Sequence, residues 1–251
     1  MGSFPQSIVH YLPVTDHDER WGIVCTTAGY QNVPPGSPYP LTQHPDSYSF
    51  TRSRGRVLGE YQLLYIVSGQ GEFRSASSPA APVKAGTVVM LFPDEWHTYA
   101  PDPETGWEEW WVGFRGENID RRVAEGFFSP KTPLLHIGHS AGIVSCYQEI
   151  IRSAEEERKG FQQLVTGIVL HLLGSVLFKR DNLQYLDNPI VEKINRAREM
   201  MRRHIGDNLP PEEIARRLNI GYTWFRRTFR AYVGIAPAQY QLQLRHNKAR
   251  E

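Results

Sequence analysis

The stretch LPPEEIARRLNIGYTWFRRTFRAYVGIAPAQY, residues 209–240, carries the most specific pattern in the chain. Pro211 suits the first position of a helix, where an N–H is not needed, and Glu212 and Glu213 complement the positive end of the helix dipole. A helix over Glu212–Leu218 buries Ile214, Ala215 and Leu218, with the small Ala215 where a second helix must cross closely. Asn219-Ile220-Gly221 is a three-residue turn, and a second helix starts near Tyr222, which is helix-turn-helix spacing. On this second helix Phe225 and Phe229 lie four residues apart and face inward, flanked by Tyr222 and Tyr232. Thr223, Arg226, Arg227 and Arg230 fall at i, i+3, i+4 and i+7 and form one outward stripe. Three guanidiniums on one face match a recognition helix in a major groove, where Arg bonds guanine N7 and O6. A solvated basic face is the plainer alternative. Arg226 is expected at base edges and Arg227 on a phosphate or a carboxylate. Trp224 lies between the faces and serves either the first helix or the DNA backbone.

Working outward, Ile190, Ile194, Ala197, Met201 and Ile205 define an amphipathic helix, and the polar segment Arg180–Pro189 reads as a linker. Before it, Ile143, Val144, Tyr147, Ile150 and Ile151 make a helical stripe. Leu164, Val165, Ile168, Val169, Leu172, Leu173, Val176 and Leu177 make a wider band on the helix Phe161–Lys179. Part of that band covers the rest of the domain; the remainder calls for the preceding helix or a second protomer, and a homodimer through these two helices is expected.

Residues 1–137 read as β. Tyr61–Val67 is a strand, Ser68–Gly71 a turn and Glu72–Arg74 the returning strand. Val88–Phe92, Trp96–Tyr99 and Trp107–Phe114 follow as further strands. Short strands at this spacing predict a small antiparallel barrel or sandwich. The organisation is therefore α+β: a barrel with an N-terminal arm over 1–137, a helical dimerisation segment over 138–180, a linker over 181–189, and an all-α helix-turn-helix region over 190–251.

Charge supports this division. Residues 190–251 hold thirteen Lys and Arg against six Asp and Glu, a net of +7, whereas the remainder holds fifteen against twenty-one. A basic C-terminal region on an acidic body points to a polyanionic partner. The two cysteines, Cys25 and Cys146, lack metal-ligand spacing and read as free thiols of a reducing compartment. The chain does not start with a signal peptide, and Val165–Phe178 is interrupted by His171 and is about half of what a bilayer needs. A cytoplasmic location and no membrane partner are expected.

The segment 190–251 resembles the first helix-turn-helix of the AraC/XylS family of transcription regulators. The resemblance is carried by Leu209, Ile214, Ala215, Leu218, Phe225, Arg227, Phe229, Gly234-Ile235-Ala236-Pro237, Tyr240, Arg245 and Ala249. Gly221 stands where the family usually has Ser, which would cap the second helix. The chain ends at Glu251, inside the helix that in the family links two such units, so the domain reads as partial, with some 40–50 further residues expected from the resemblance and weak DNA binding by the portion present. Residues 56–114 resemble the cupin-like barrel with which such regulators bind effectors. Metal-dependent cupins use three His and a Glu, and here only His97 occupies a usual position, so neither a metal site nor a cofactor is expected.

In a barrel alternate residues face inward. One face of Tyr61–Val67 holds Tyr61, Leu63, Tyr65 and Val67; one face of Trp107–Gly113 holds Trp107, Glu109, Trp111 and Gly113. Aromatic faces with a few polar groups suit a sugar, and Arg56, Tyr65, Trp96, His97, Tyr99, Glu109 and Trp111 are the candidate effector contacts, with barrel packing the competing role for each. Pro13, Pro34, Pro35 and Pro38 mark an arm over the mouth. The expected function is a non-enzymatic, effector-responsive DNA-binding regulator, with RNA polymerase a further partner. The alternatives are a truncated sensor and dimerisation protein, or a metal-independent cupin enzyme.

Overall fold

The structure is a computed structural model and describes residues 7–40, 54–185, 189–207 and 209–250. The chain divides into two compact units, Met1–Leu183 and Gln184–Glu251.

In the first unit the elements run β1 (Ser7–Tyr11), α1 (Asp16–Glu19), β2 (Val24–Val33), β3 (Tyr61–Ser75), β4 (Ala81–Lys84), β5 (Thr87–Leu91), β6 (His97–Pro101), β7 (Trp107–Arg115), α2 (Glu117–Ala124), β8 (Leu134–His136), α3 (Ala141–Glu156) and α4 (Phe161–Asn182). The strands pair antiparallel in the order β1-β2-β7-β3-β5-β8, and β4 and β6 both join β3. The expected turn at Ser68–Gly71 is corrected: β3 runs through it as one fifteen-residue strand. Its first half pairs with β5 and β7 and its second half with β4 and β6, with a bulge between Ile66 and Ser68. The glycines there serve close approach instead of reversal. A Cβ on Gly69 would stand 2.1 Å from the Gly106 carbonyl oxygen, and one on Gly71 2.2 Å from that of Ala100.

The central strands are covered on both faces, and the period of two sorts their side chains into two cores. Tyr65, Leu63, Trp110, Val112 and Phe114 pack with Tyr147, Ile150 and Ile151 of α3 and Val165, Val169 and Leu172 of α4. Leu64, Ile66, Phe73, Val89, Tyr99, Trp107 and Trp111 fill the barrel interior. Gln162, in the first turn of α4, completes the irregular stretch of β2 between Cys25 and Thr27. Its Oε1 accepts from the Cys25 N–H at 3.0 Å, and its Nε2 donates to the carbonyls of Cys25 and Pro13, both at 2.9 Å. The outward side of α4 stays apolar, with Leu164 and Phe178 more than half exposed. By length and composition α4 is the one helix among the described residues that would cross a membrane, and its inner face is committed to the barrel.

The segment 181–189 is not a nine-residue linker. α4 continues to Asn182 and ends in a 3-10 turn, Leu183–Tyr185, and α5 begins at Pro189. The helix needs no apolar residue to continue, because Arg180–Asn182 contains neither Gly nor Pro.

The second unit holds α5 (Pro189–Arg203), α6 (Pro211–Arg217), α7 (Tyr222–Val233) and α8 (Pro237–Lys248). α5 stops short of Ile205, which lies in the following turn. Ile194, Ala197 and Met201 meet Ile214, Ala215, Phe225 and Phe229 in one core. Asn219 turns the chain between α6 and α7 at φ 53°, and Gly234 ends α7 at φ 89°. Gln241 of α8 donates to the Leu209 carbonyl at 2.6 Å and pins the start of α6.

Gln162→Leu is expected to cost about 2 kcal/mol or more of stability, because it orphans a buried N–H and a buried carbonyl at Cys25. Urea denaturation checks this; a loss within about 0.5 kcal/mol, the range of ordinary surface substitutions, would show that the contact is dispensable.

Candidate functional site

Inside the barrel, β1 contributes Val9 and Tyr11, β2 Thr27 and Gln31, and β3 Gln62 to one pocket. Tyr99 comes from β6, Glu109 and Trp111 from β7, and Tyr39 and Pro40 from the β2–β3 connection. Arg56 enters from just before β3, where its backbone exchanges two hydrogen bonds with His97, at 2.9 and 3.0 Å. Trp111 lies in place because Gly29 opposite has no side chain: a Cβ there would come within 2.1 Å of the indole.

The polar groups form a connected set. The Arg56 Nη2 donates to Tyr99 Oη at 2.7 Å and to Gln62 Oε1 at 3.3 Å. Gln62 Nε2 donates in turn to Glu60 at 2.8 Å and to Thr27 at 3.4 Å. Arg56 Nε donates to His97 Nε2 at 3.3 Å, which makes that nitrogen the acceptor and leaves Nδ1–H to donate to the Glu95 carbonyl at 3.0 Å. Burial, reinforced by the Arg56 charge, holds the His97 pKa down at about 4, in keeping with this neutral tautomer.

Glu109 is the unusual member. It is 2% exposed, its Oε1 accepts from Tyr39 Oη at 2.8 Å, and its Oε2 has no hydrogen-bond partner among the described residues. Burial pushes its pKa up to about 7, against the lowering pull of the Tyr39 hydrogen bond, of Arg56 and of the nearby Trp107 indole N–H, which does not reach full hydrogen-bond geometry. A buried acid with one unused oxygen, next to an Arg, an amide and an indole face, is equipped to grip the hydroxyls of a small molecule. Among the described residues no three His, Cys, Asp or Glu side chains form a group that could hold a metal ion.

Of the effector contacts expected from the sequence, Arg56, Tyr99, Glu109 and Trp111 converge on this pocket. His97 stands one layer behind and orients Arg56. Two expectations are corrected. Tyr65 points to the other side of the sheet, where its hydroxyl donates to the Gly138 carbonyl at 2.9 Å and accepts from the Ser140 N–H at 2.9 Å. On β3 it is the even-numbered residues Gln62, Leu64 and Ile66 that face inward. Trp96 sits at the rim, with Nε1 donating to the Arg54 carbonyl and its ring under the Arg74 guanidinium at 5.5 Å. The pocket also contains residues that the sequence reading passed over: Tyr11, Thr27, Gln31, Tyr39 and Gln62. Thr27, Gly29 and Gln31 do alternate along β2, and that pattern is the signal that marks them.

In the second unit Thr223, Arg226, Arg227 and Arg230 are exposed along one face of α7, and with Tyr222 they line a shallow concavity. Among the described residues no carboxylate forms an ion pair with these three arginines. On α6, by contrast, Arg216 and Arg217 are both paired with Glu213, at 2.7 and 2.9 Å. Trp224 is half-buried against the core of the unit, so it packs on the helices. Gly221 gives α7 no side-chain cap.

An antiparallel cupin-like barrel backed by two helices, followed by a helix-turn-helix, defines the class. Residues 35–173 match the family described as the AraC-like ligand binding domain, and the chain belongs to that family, as the motifs indicated. It is similar to the Msm operon regulatory protein of Streptococcus mutans, 22% identical over 196 residues, covering 77% of this chain and 70% of the relative. The raffinose operon transcriptional regulatory protein of Pediococcus pentosaceus is 21% identical over 215 residues, covering 81% and 74%. The MmsAB operon regulatory protein of Pseudomonas aeruginosa is 24% identical over 189 residues, covering 74% and 60%.

The raised pKa of Glu109 has a sign that can be read in stability. Between about 4.5 and about 7 the folded chain holds this proton and the unfolded chain does not, so the Glu109 contribution falls as pH rises. His97 acts in the opposite sense: its contribution is lost as pH falls from 6.5 towards about 4. Glu109→Gln removes only the first effect. Relative to the parent chain, the variant is expected to gain on the order of 2–3 kcal/mol between pH 4.5 and pH 7.5. Urea denaturation at the two pH values measures this, and a difference that does not change with pH would mean that Glu109 ionises normally.

Proposed function

We propose that the chain is a cytoplasmic, sequence-specific DNA-binding transcription regulator that carries out no catalysis and responds to a small molecule, a sugar, held inside the barrel. The observation that carries this reading is the buried Glu109 carboxyl, one oxygen of which lacks a hydrogen bond of full geometry, among Arg56, Gln62 and Trp111. A pyranose presents both hydroxyls for such groups and a C–H face for the indole. The relatives support the regulatory part, since all three are operon regulators by name, one of a raffinose operon. The exposed arginines of α7 support contact with duplex DNA, and RNA polymerase is a natural further partner of such a regulator.

The chain is also read as a homodimer. Cys146 of α3 and Leu164, Gly167 and Ile168 of α4 line a shallow, mainly apolar groove between the two helices, together with Glu149, Gln163 and His171. A second copy would cover this groove on both protomers at once about a twofold axis.

Two measurements test the proposal. A sugar at 100 times its dissociation constant is expected to stabilise the chain by about 2.7 kcal/mol, visible as a thermal shift in a screen of monosaccharides and short oligosaccharides. Selection from random duplexes is expected to return a preferred sequence, for which Arg226→Ala costs about 1–3 kcal/mol and relaxes the preference at one base pair. If Arg226→Ala changed neither affinity nor preference, the assignment of the α7 face would be wrong.

A further inference from the structure

The pocket described above has little room. Its unfilled cavity is about 20 Å³, the space of about one water molecule. A six-membered ring does not fit unless a side chain leaves. Most of the lining belongs to strands held in register by their neighbours, and Arg56 is fixed by its bridge to His97. Tyr39 and Pro40 come instead from the connection between β2 and β3. That connection is anchored three residues before Tyr39, where the Gly36 N–H donates to the Pro103 carbonyl at 2.8 Å.

Tyr39 also resembles a ligand in what it does. It places a six-membered ring edge-on to Tyr99, with centroids 6.1 Å apart, and to Trp107, at 5.7 Å. It offers a hydroxyl to the buried carboxyl of Glu109 at 2.8 Å. Its ring is half-buried, so withdrawing it gives up less packing than removing a core residue would.

We propose that Tyr39 is a built-in occupant of the barrel site, which a hydroxyl-bearing ring must displace to reach Glu109. This rests on reading the barrel interior as the effector site. Two groups remain when Tyr39 has left, the Glu109 carboxyl and the Arg56 guanidinium, and a polyol exchanges hydrogen bonds with both, accepting from the guanidinium and donating to the carboxyl. The exchange replaces one hydroxyl on Glu109 with another, so the site never leaves its buried carboxyl without a partner. Effector affinity is accordingly reduced by the fraction of molecules in which Tyr39 is seated.

The test uses the full chain and three variants, Tyr39→Ala, Tyr39→Phe and Tyr39→Ala with Glu109→Gln. The first probe is 4-methylphenol, the tyrosine side chain itself. Calorimetry is expected to show saturable binding to Tyr39→Ala and none to the parent, with binding weakened about tenfold when Glu109→Gln is added. The second probes are D-glucose, D-galactose, D-xylose and their disaccharides. Any of these that binds the parent is expected to bind Tyr39→Ala at least about tenfold more tightly, with Tyr39→Phe between the two. A folded Tyr39→Ala that takes up no 4-methylphenol would overturn the proposal, as would a sugar that binds all forms with one affinity; the second result would leave the barrel reading intact. Uptake of 4-methylphenol by Tyr39→Ala alone, with no sugar binding any form, would uphold Tyr39 as the occupant and remove the carbohydrate assignment. Should Tyr39→Ala not fold, Tyr39→Phe decides by the same affinity comparison.

Discussion

β3 belongs to two sheets at once, and the rest of the first unit is arranged around that constraint. From Tyr61 to Ile66 it is a central strand between β5 and β7; past the bulge it is the centre of a second set with β4 and β6. A strand flat over fifteen residues would leave one of these sets unpaired. The bulge and the close-approach glycines let it bend, and the bend encloses an interior. One face of the same strand is then inside the barrel and the other lies against α3 and α4. The pocket and the helical face are therefore opposite sides of a single layer of backbone.

Within that interior the apolar cluster adjoins a polar set of Arg56, Gln62, Tyr99 and Glu109, with Tyr99 and Trp111 shared by both. A barrel built only for stability would fill this region with aliphatic side chains, since a buried carboxyl at a raised pKa costs folding free energy at neutral pH. Retaining it makes sense as a provision for binding. Arg56 is similarly constrained: neutral His97, Tyr99 and Gln62 hold its guanidinium from three directions, so its position is set before any ligand arrives.

The helical unit was the more legible part of the sequence, for a physical reason. α6 and α7 are amphipathic with one buried face each, so the spacing of Ile214, Ala215, Phe225 and Phe229 reports burial directly, and Pro211, Gly234 and Pro237 mark the ends. In the barrel the signal fails where both faces of a strand are buried. Tyr61–Ile66 is apolar or aromatic on both sides, so alternation does not say which side faces inward, and Tyr65 was assigned to the wrong one. On Trp107–Phe114 the interior takes Trp107, Glu109 and Trp111, although the sequence alone puts a glutamate on each face, Glu108 on one and Glu109 on the other. The glycines of Ser68–Gly71 resemble a turn in one dimension, although their function is to admit Ala100 of β6 and Gly106 of the connection that follows it. Tyr39 had no local signal, since its role depends on the distant residues it meets, Glu109, Tyr99 and Trp107. The expected linker lost its first residues to α4 because polarity alone does not stop a helix.

The seat of Trp111 over Gly29 has a consequence for how such a site changes over generations. Glycine is the smallest residue, so any substitution at position 29 adds atoms, and the first of them already collides with the indole. Position 111 carries the largest side chain, and there a substitution only subtracts. The two neighbours therefore give the lineage a one-way choice at each step. A side chain at 29 forces the indole or the β1 backbone to shift, whereas a smaller residue at 111 removes part of the pocket lining. Trimming the tryptophan alone does not free position 29, because a Cβ there also meets the Ile8 carbonyl oxygen of β1 at 2.6 Å, so glycine is held from two sides.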